Sequence, residues 1–250
     1  MASADALLGG GLYETVRTGP GGVRAGARHV SRLRASARTL GLPVPDEAAF
    51  LRAVRDATGE GDAVRITLHD DAGAALLAGA RRQPGSAEPA SLVSLPGWYA
   101  RGYRLREHKL TSHFHGVRGR ALALARGTDD ALLVEEGSGL VGEATNANVF
   151  ALLDGVAVTP PIDGVLPGVT RALCLELLPA LGMPVEEAPL ALDELAGARG
   201  VLLTTSVRGL VPARSLDGEP LEAPDAGLLR LLAAALDRAE LAAALALPLP

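Results

Sequence analysis

The residue whose type most directly suggests chemistry is Lys109, in the run Arg106-Glu107-His108-Lys109-Leu110-Thr111. It is the only lysine in 250 residues, and the other 23 of the 24 Lys and Arg residues are arginines. An arginine stays protonated in a protein, whereas a lysine amine can lose its proton and attack a carbonyl carbon to form a Schiff base. One lysine that survives by chance on an arginine-rich surface is the alternative explanation. The composition therefore makes Lys109 a candidate nucleophile.

A Schiff-base lysine usually needs an electron sink, and pyridoxal phosphate is the cofactor that supplies one. A protein that binds it places a carboxylate at the pyridine nitrogen, donors around the phosphate and the lysine at the aldehyde. Glu143 is the candidate carboxylate, because it ends a predicted strand beside small residues that would let a flat ring approach. An exposed acidic residue at a strand end is the alternative explanation for it.

The candidate phosphate site is Gly168-Val169-Thr170, which follows Pro167 and opens a predicted helix. The first backbone N–H groups of a helix have no partner within it and can bind an anion. Thr204-Thr205-Ser206 would add hydroxyl and backbone donors, and Arg32 would add a charge-assisted pair. Each of these features, taken singly, is explained as well by a structural role.

Composition and charge exclude several classes of protein. Hydrophobic residues make up 48% and charged residues 21%, which is typical of a globular chain. The net charge of -5 argues against a nucleic-acid partner. The N-terminus lacks a signal-peptide pattern, and the Ala/Leu-rich run from Leu228 to Leu247 is interrupted by charges, so we expect no membrane partner and a cytoplasmic location. The three histidines near Lys109 have no carboxylate or cysteine at ligand spacing, and we expect no metal site.

Strand and helix patterns alternate irregularly along the chain. Strands are predicted near 11–18, 64–68, 74–80, 91–95, 131–135, 140–143, 147–152, 156–159, 184–189 and 200–205. Helices are predicted near 28–41, 46–58, 113–126, 167–181, 191–197 and 225–243. The mixture favours an α+β fold in two subdomains. We expect a small N-terminal subdomain at 1–96, a linker at 97–105 and a larger C-terminal subdomain at 106–250 that carries Lys109.

Six motifs in order resemble the class IV, or fold type IV, pyridoxal-phosphate enzymes. This family includes branched-chain aminotransferases, D-amino-acid aminotransferases and 4-amino-4-deoxychorismate lyases, and the resemblance runs from about Gly9 to Gly218. The motifs are the strand Gly11 to Arg17, the helix start His29 to Leu33, Lys109, the strand Glu143 to Phe150, the helix start Leu166 to Arg171 and the turn Pro212 to Gly218. The resemblance implies a cofactor at the interface of two subdomains, and a homodimer.

The resemblance also implies roles by position. Lys109 resembles the Schiff-base lysine and the general acid and base, and Glu143 resembles the partner of the pyridine nitrogen. The phosphate cup corresponds to Arg32, the backbone of Val169 and Thr170, and Ser206, with Thr205 beside it. The positions on the substrate side are Tyr13, Arg17, Val207 and Arg208, the last two through backbone amides.

The segments around Arg17 and Arg208 look more like those of the lyases than those of the branched-chain enzymes. A lyase substrate carries two carboxylates, which these two arginines would suit. The lyase reaction releases pyruvate and 4-aminobenzoate. The alternatives are an aminotransferase that acts on D- or branched-chain amino acids with a 2-oxo acid acceptor, a protein that binds the cofactor without turnover, and a Schiff-base enzyme that uses no cofactor.

Overall fold

The computed structural model describes residues 9–19, 21–57, 63–82 and 88–247. The chain divides into two units. The first comprises Met1–Gly85, His108–His113 and Asp237–Pro250, and the second comprises Ser86–Glu107 and Phe114–Leu236.

The described part of the first unit contains an antiparallel sheet with helices. Its elements are β1 (Leu12–Gly19), β2 (Gly22–Val23), α1 (Gly26–Thr39), α2 (Glu47–Ala57), β3 (Ala63–Asp71) and β4 (Ala74–Arg82). The strand order is β2-β1-β3-β4. Because side chains alternate along a strand, Leu12 and Val16 share one face of β1 and enter the core of this unit. Glu14 lies on that same face and is 1% exposed.

Both helices of the first unit cover this core with residues at helical spacing. Val30, Leu33 and Ala37 of α1 are buried, as are Phe50 and Val54 of α2. The Asp46 carboxylate accepts a hydrogen bond from the Ala49 backbone N–H at the start of α2, as expected for an N-cap. The helix packs so close to β4 that a Cβ atom on Gly79 would lie 2.4 Å from the Ala53 carbonyl oxygen.

The second unit contains a larger mixed sheet. Its elements are β5 (Ala90–Tyr99), a 3-10 turn (Arg104–Glu107), α3 (Phe114–Ala125), β6 (Asp130–Glu135), β7 (Val141–Ala144), β8 (Asn148–Leu153), β9 (Val156–Thr159), α4 (Val169–Ala180), β10 (Val185–Glu187), a 3-10 turn (Asp193–Gly197), β11 (Val201–Thr205), β12 (Gly209–Leu216), β13 (Glu219–Pro220) and α5 (Ala226–Ala242). The strand order is β10-β9-β8-β11-β12-β5-β6-β7, with β13 beside β12. The division between the units falls within α5.

This sheet has a buried core on each face. Val149, Ala151, Val201 and Leu203 belong to one cluster. Phe150, Leu152 and Leu202 belong to the other, which α4 covers with Cys174 and Leu178. Because β8 and β11 are buried on both faces, their sequences are nearly continuous runs of apolar residues.

Most predicted elements are present, and the structure corrects several details. The predicted turn from Pro212 to Gly218 lies mostly in strand β12, which runs to Leu216, and only Asp217 and Gly218 form the turn. The predicted linker from residue 97 begins inside β5, which continues to Tyr99 past Pro96. The division of the chain also differs from the predicted boundaries, because the segment with Lys109 pairs with β1 and belongs to the first unit. No helix in the described ranges has the length and apolar character needed to cross a membrane.

Two arginines converge on one buried carboxylate in the first unit. Glu240, near the end of α5, is 3% exposed and accepts hydrogen bonds from Arg17 Nη2 at 2.6 Å and Arg24 Nε at 3.0 Å. Arg24 also pairs with Asp237, whose side chain is 56% exposed. The cluster joins the end of α5 to β1 and to the segment after β2.

We expect Glu240→Gln to lower the free energy of unfolding by about 1–3 kcal/mol, because two arginines lose a buried anion. Asp237→Asn is the matched control, and it should change the free energy by less than about 1 kcal/mol because that ion pair is exposed. Urea unfolding of the two variants measures both values. Equal losses would show that burial of Glu240 does not decide the strength of this cluster.

Candidate active site

The backbone around Lys109 is fixed along the edge of β1. Leu110 forms an antiparallel bridge with Leu12. The Tyr13 N–H donates to the Lys109 carbonyl at 2.8 Å, and the Thr111 N–H donates to the Gly11 carbonyl at 2.8 Å. Because side chains alternate, Leu110 joins the core beside Leu12, and Lys109 lies on the opposite face with Tyr13.

The ring of Tyr13 contacts two cations on that face. Lys109 Nζ lies 4.5 Å from the ring centroid, and the guanidinium carbon of Arg65 lies 3.7 Å from it. The ring of His113 meets Tyr13 edge to face, with centroids 6.1 Å apart. A cation over an aromatic face is held in place electrostatically, so the ring restrains the amine. Sequence reasoning missed Arg65, which carries no motif and reaches Tyr13 only through the pairing of β1 with β3.

Arg32 lies on the opposite face of β1 from Lys109 and binds Glu14. Its Nε and Nη2 atoms donate to the two carboxylate oxygens at 2.8 Å and 2.6 Å, and His29 Nδ1 lies 2.7 Å from Glu14 Oε2. Burial alone would raise the pKa of Glu14, but the charges and hydrogen bonds of Arg32 and His29 outweigh it and lower this pKa from 4.5 to about 2. The role of Arg32 at a phosphate stays a prediction.

Arg17 is engaged with a buried carboxylate in this structure. Its guanidinium is bound to Glu240, as described above. A role at a substrate therefore stays a prediction for Arg17, and the structure supplies a structural role for it.

In the second unit, Glu143 is the centre of a buried polar cluster. Oε1 accepts from Arg106 Nη2 at 3.2 Å, and Oε2 accepts from Asn148 Nδ2 at 3.4 Å and from the Leu166 N–H at 3.3 Å. Arg106 is itself buried and donates through Nη1 to the Trp98 carbonyl at 2.7 Å. The carboxylate is thus buried among donors that favour its charged form.

The first turn of α4 carries Val169 and Thr170, both buried. Gly168 precedes it in an extended conformation, and no side chain caps the helix. Asn148 connects this turn to Glu143, since its amide also donates to the Leu166 carbonyl at 2.9 Å. A Cβ atom on Gly168 would lie only 1.9 Å from Asn148 Oδ1. The structure thus brings together the predicted carboxylate and the predicted anion-binding turn.

The remaining predicted residues lie where β11 turns into β12. The Arg208 N–H donates to Thr205 Oγ1 at 2.9 Å, which closes a turn around Ser206 and Val207. The Arg208 side chain is largely buried, and its Nη2 lies 4.0 Å from Asp130. Burial lowers the pKa of Arg208, and Asp130 opposes that effect. This engagement of both the N–H and the guanidinium leaves the substrate role of Arg208 a prediction.

A cavity of about 480 Å³ occurs elsewhere in the second unit. Its polar lining includes Asp193, Asp217 and Glu219 and no cationic side chain. None of the predicted site residues lines it. This cavity is therefore unsuited to an anionic cofactor.

Known proteins match this chain along most of its length. The model of the amino-transferase class IV family matches residues 11–216. The chain belongs to the class IV aminotransferase family. Its members are pyridoxal-phosphate-dependent enzymes, and the expected α+β fold of the fold type IV enzymes is confirmed.

Individual relatives carry different activities in their names. A "Probable branched-chain-amino-acid aminotransferase" of Thermotoga maritima is 30% identical over 220 residues, which cover 84% of this chain and 78% of the relative. The match to a "Putative branched-chain-amino-acid aminotransferase" of Methanocaldococcus jannaschii is 31% identical but spans 48% of this chain and only 41% of that protein. Among solved structures, a "Putative 4-amino-4-deoxychorismate lyase" of Legionella pneumophila has 25% identity and a TM-score of 0.82, with 91% of each chain covered.

The donor set fits the family's cofactor. A hypothetical aminotransferase from Mycobacterium tuberculosis, solved in its pyridoxal-phosphate-bound form, shares this fold with a TM-score of 0.85 at 22% identity, covering 97% of this chain and 94% of that one. Within the second unit, Glu143 would offer a carboxylate to a ring nitrogen, and the uncapped start of α4 would offer backbone donors to a phosphate. Lys109, in the first unit, stays the predicted source of the amine.

Glu14 predicts a specific dependence of stability on pH. Its pKa is lower in the folded chain than the ordinary value of 4.5. The contribution of the Glu14 carboxylate to the free energy of unfolding is therefore complete above pH 4.5 and is lost as the pH falls towards about 2. We expect Glu14→Gln to lower the free energy of unfolding by about 3 kcal/mol at pH 7. Denaturant titrations at pH 7, 4.5 and 3 should show the gap between wild type and variant closing at low pH. A gap that is constant with pH would contradict this assignment.

Gly168→Ala should displace Asn148 and loosen the Glu143 cluster, because the added methyl group meets the amide oxygen. We expect a loss of about 1–3 kcal/mol in stability and weaker pyridoxal-phosphate binding. Gly197→Ala is the matched control, since no atom lies within 4 Å of its added Cβ. Thermal unfolding and cofactor titration of both variants test this. If Gly168→Ala is as stable and binds the cofactor as tightly as Gly197→Ala, the close approach of Gly168 to Asn148 is wrong.

Proposed function

We propose that the chain is a 4-amino-4-deoxychorismate lyase that uses pyridoxal phosphate and releases pyruvate and 4-aminobenzoate. The observation that carries this proposal is the structural likeness to the Legionella protein, which covers 91% of both chains. The 4-aminobenzoate product would enter folate synthesis in the cytoplasm.

The cofactor, when bound through its aldehyde, withdraws electrons from the carbon that bears the substrate nitrogen. Lys109 would then have two tasks: its amine would hold the aldehyde before substrate arrives, and it would remove the proton from that carbon. With the neighbouring C–O bond broken, the ring would aromatise to 4-aminobenzoate, and the departing enolpyruvate would take up the proton held by Lys109 to become pyruvate. Atoms balance without an oxidant or a second substrate.

The described residues support a division of this work. Tyr13 restrains the Lys109 amine against its ring face. Glu143, held by three donors, keeps a carboxylate ready for a protonated ring nitrogen. Arg65, against the same tyrosine as Lys109, is the cation that we assign to a substrate carboxylate.

An aminotransferase is the second candidate, and the 30% identity to the Thermotoga relative over 84% of this chain favours it. Arg65 is the arginine that lies against Tyr13 beside Lys109, which suits an amino acid with one carboxylate. Arg17 and Arg208 are both engaged with acidic residues. This activity would need a D- or branched-chain amino acid and a 2-oxo acid acceptor.

We also propose a homodimer, as the family resemblance implies. Helix α3 supports it with an exposed apolar face, on which Phe114, Val117 and Leu124 are 71%, 63% and 57% exposed. Apolar residues grouped on one surface are typical of a contact with another chain.

The deciding experiment mixes cofactor-loaded protein with 4-amino-4-deoxychorismate and measures 4-aminobenzoate and pyruvate together. We expect equal amounts of both from the wild type and at least a ~1000-fold slower rate from Lys109→Ala, since that variant lacks the amine that moves the proton. No product from a loaded, coloured protein would contradict the lyase. Transfer of an amino group to a 2-oxo acid would then establish the aminotransferase.

The single lysine provides a control that needs no substrate. Borohydride reduction of the loaded protein should attach the cofactor to one position, and the labelled peptide should contain Lys109. Lys109→Ala should yield no labelled lysine. Retention of the same visible absorbance by Lys109→Ala would contradict the assignment of this residue.

A further inference from the structure

Thr204 has a buried hydroxyl group with no hydrogen-bond partner. The residue is 3% exposed, and its Oγ1 atom is among the few buried side-chain atoms of the described chain that lack a partner. A buried polar group left unsatisfied is destabilising, and such groups in native proteins call for an explanation. The neighbouring Thr205 hydroxyl, in contrast, accepts the Arg208 N–H.

The sheet register places this hydroxyl beside Asn148. Thr204 pairs with Asn148, and Leu202 pairs with Phe150, across the antiparallel strands β11 and β8. Residues directly opposite each other project from the same face. Leu202 and Phe150 pack in the cluster that α4 covers, so Thr204 and Asn148 lie on the α4 side of the sheet.

The same face carries the beginning of α4. Asn148 donates to the Leu166 carbonyl, and its oxygen lies against Gly168, immediately before Val169 and Thr170. The start of α4 has no side-chain cap. An unpartnered hydroxyl and an uncapped helix start are therefore both next to Asn148. A group with several acceptor oxygens would satisfy both.

We propose that Thr204 is a phosphate-binding residue, whose hydroxyl donates to a phosphate oxygen of the cofactor held at the start of α4. This inference rests on the proposed cofactor, and it adds a donor to the predicted positions Thr205 and Ser206. Hydrogen bonds to a charged acceptor are about twice as strong as neutral ones, so the phosphate would offset the cost of burying the hydroxyl.

The test compares Thr204→Val with Thr159→Val. Valine replaces threonine with nearly the same shape and removes only the hydroxyl. Thr159 is the matched control, because it is fully buried in the same unit and its hydroxyl already donates to the Val149 carbonyl at 2.7 Å. For each variant, the stability of the cofactor-free protein and the dissociation constants for pyridoxal phosphate and for pyridoxal are measured.

We expect Thr204→Val to leave the cofactor-free protein as stable as the wild type or more so, since it removes an unsatisfied group. Its dissociation constant for pyridoxal phosphate should rise about 10-fold, and that for pyridoxal, which lacks the phosphate, should stay unchanged. Thr204→Ser should recover most of the affinity. Thr159→Val should show the reverse pattern, with lower stability and unchanged affinity.

Two outcomes would overturn the assignment of Thr204. A destabilised Thr204→Val protein with wild-type affinity would show a structural hydroxyl, and equal losses for pyridoxal phosphate and pyridoxal would place the hydroxyl at the ring. Failure of the cofactor assignment is distinguishable, because wild-type protein would then bind no pyridoxal phosphate at all. Failure of the lyase activity alone would leave the comparison of dissociation constants unchanged.

Discussion

The structure depends on the rule that a carboxylate removed from water must be paired. The described buried carboxylates Glu14, Asp130, Glu143 and Glu240 each face at least one arginine. Arginine suits this task because its planar guanidinium forms two parallel hydrogen bonds and does not lose its proton. A chain that uses arginine for all these pairs keeps its charges fixed, and its single lysine differs from them in being able to act as a base. Arginine is thus the permanently charged partner of the buried carboxylates, and the single lysine is the cation that can exchange a proton.

The sequence predicts the local elements of this fold well, and it predicts long-range pairings poorly. The helical spacing of Val30, Leu33 and Ala37 and the cap at Asp46 depend on nearby residues, and both are confirmed. Strand β12 was missed because the motif from Pro212 to Gly218 was interpreted as a turn, whereas most of it is strand. The boundary between the units was missed because the segment with Lys109 crosses back to β1, about a hundred residues earlier in the chain. Such pairings leave no periodic signal near either partner.

The candidate site shows the same limit. Lys109 and Glu143 could be singled out because their residue types are unusual in their surroundings, and the start of α4 because proline and glycine mark it. Arg17 could be identified as charged, but its partner Glu240 lies 223 residues away, so its engagement could not be foreseen. Arg65 and Thr204 are the opposite case, because the sequence does not single them out and the structure does. Their types are ordinary, and only the strand register gives them neighbours, Tyr13 for one and Asn148 for the other.

The choice between elimination and amino-group transfer depends on where carboxylates are bound, since both reactions begin with removal of the same proton. An arginine that already holds a buried carboxylate must give it up before it binds a substrate, and a buried carboxylate that loses one of its partners is destabilised. Arg17 is held by Glu240, so a second substrate carboxylate would be bound more readily by backbone N–H groups than by that guanidinium. The turn from Thr205 to Arg208 has such groups, of which Thr205 occupies one. Discrimination between substrates with one and two carboxylates would then depend on the backbone N–H groups of Ser206 and Val207. Proline is the one substitution that removes a backbone N–H group, so proline at either position would separate the two activities more sharply than loss of an arginine.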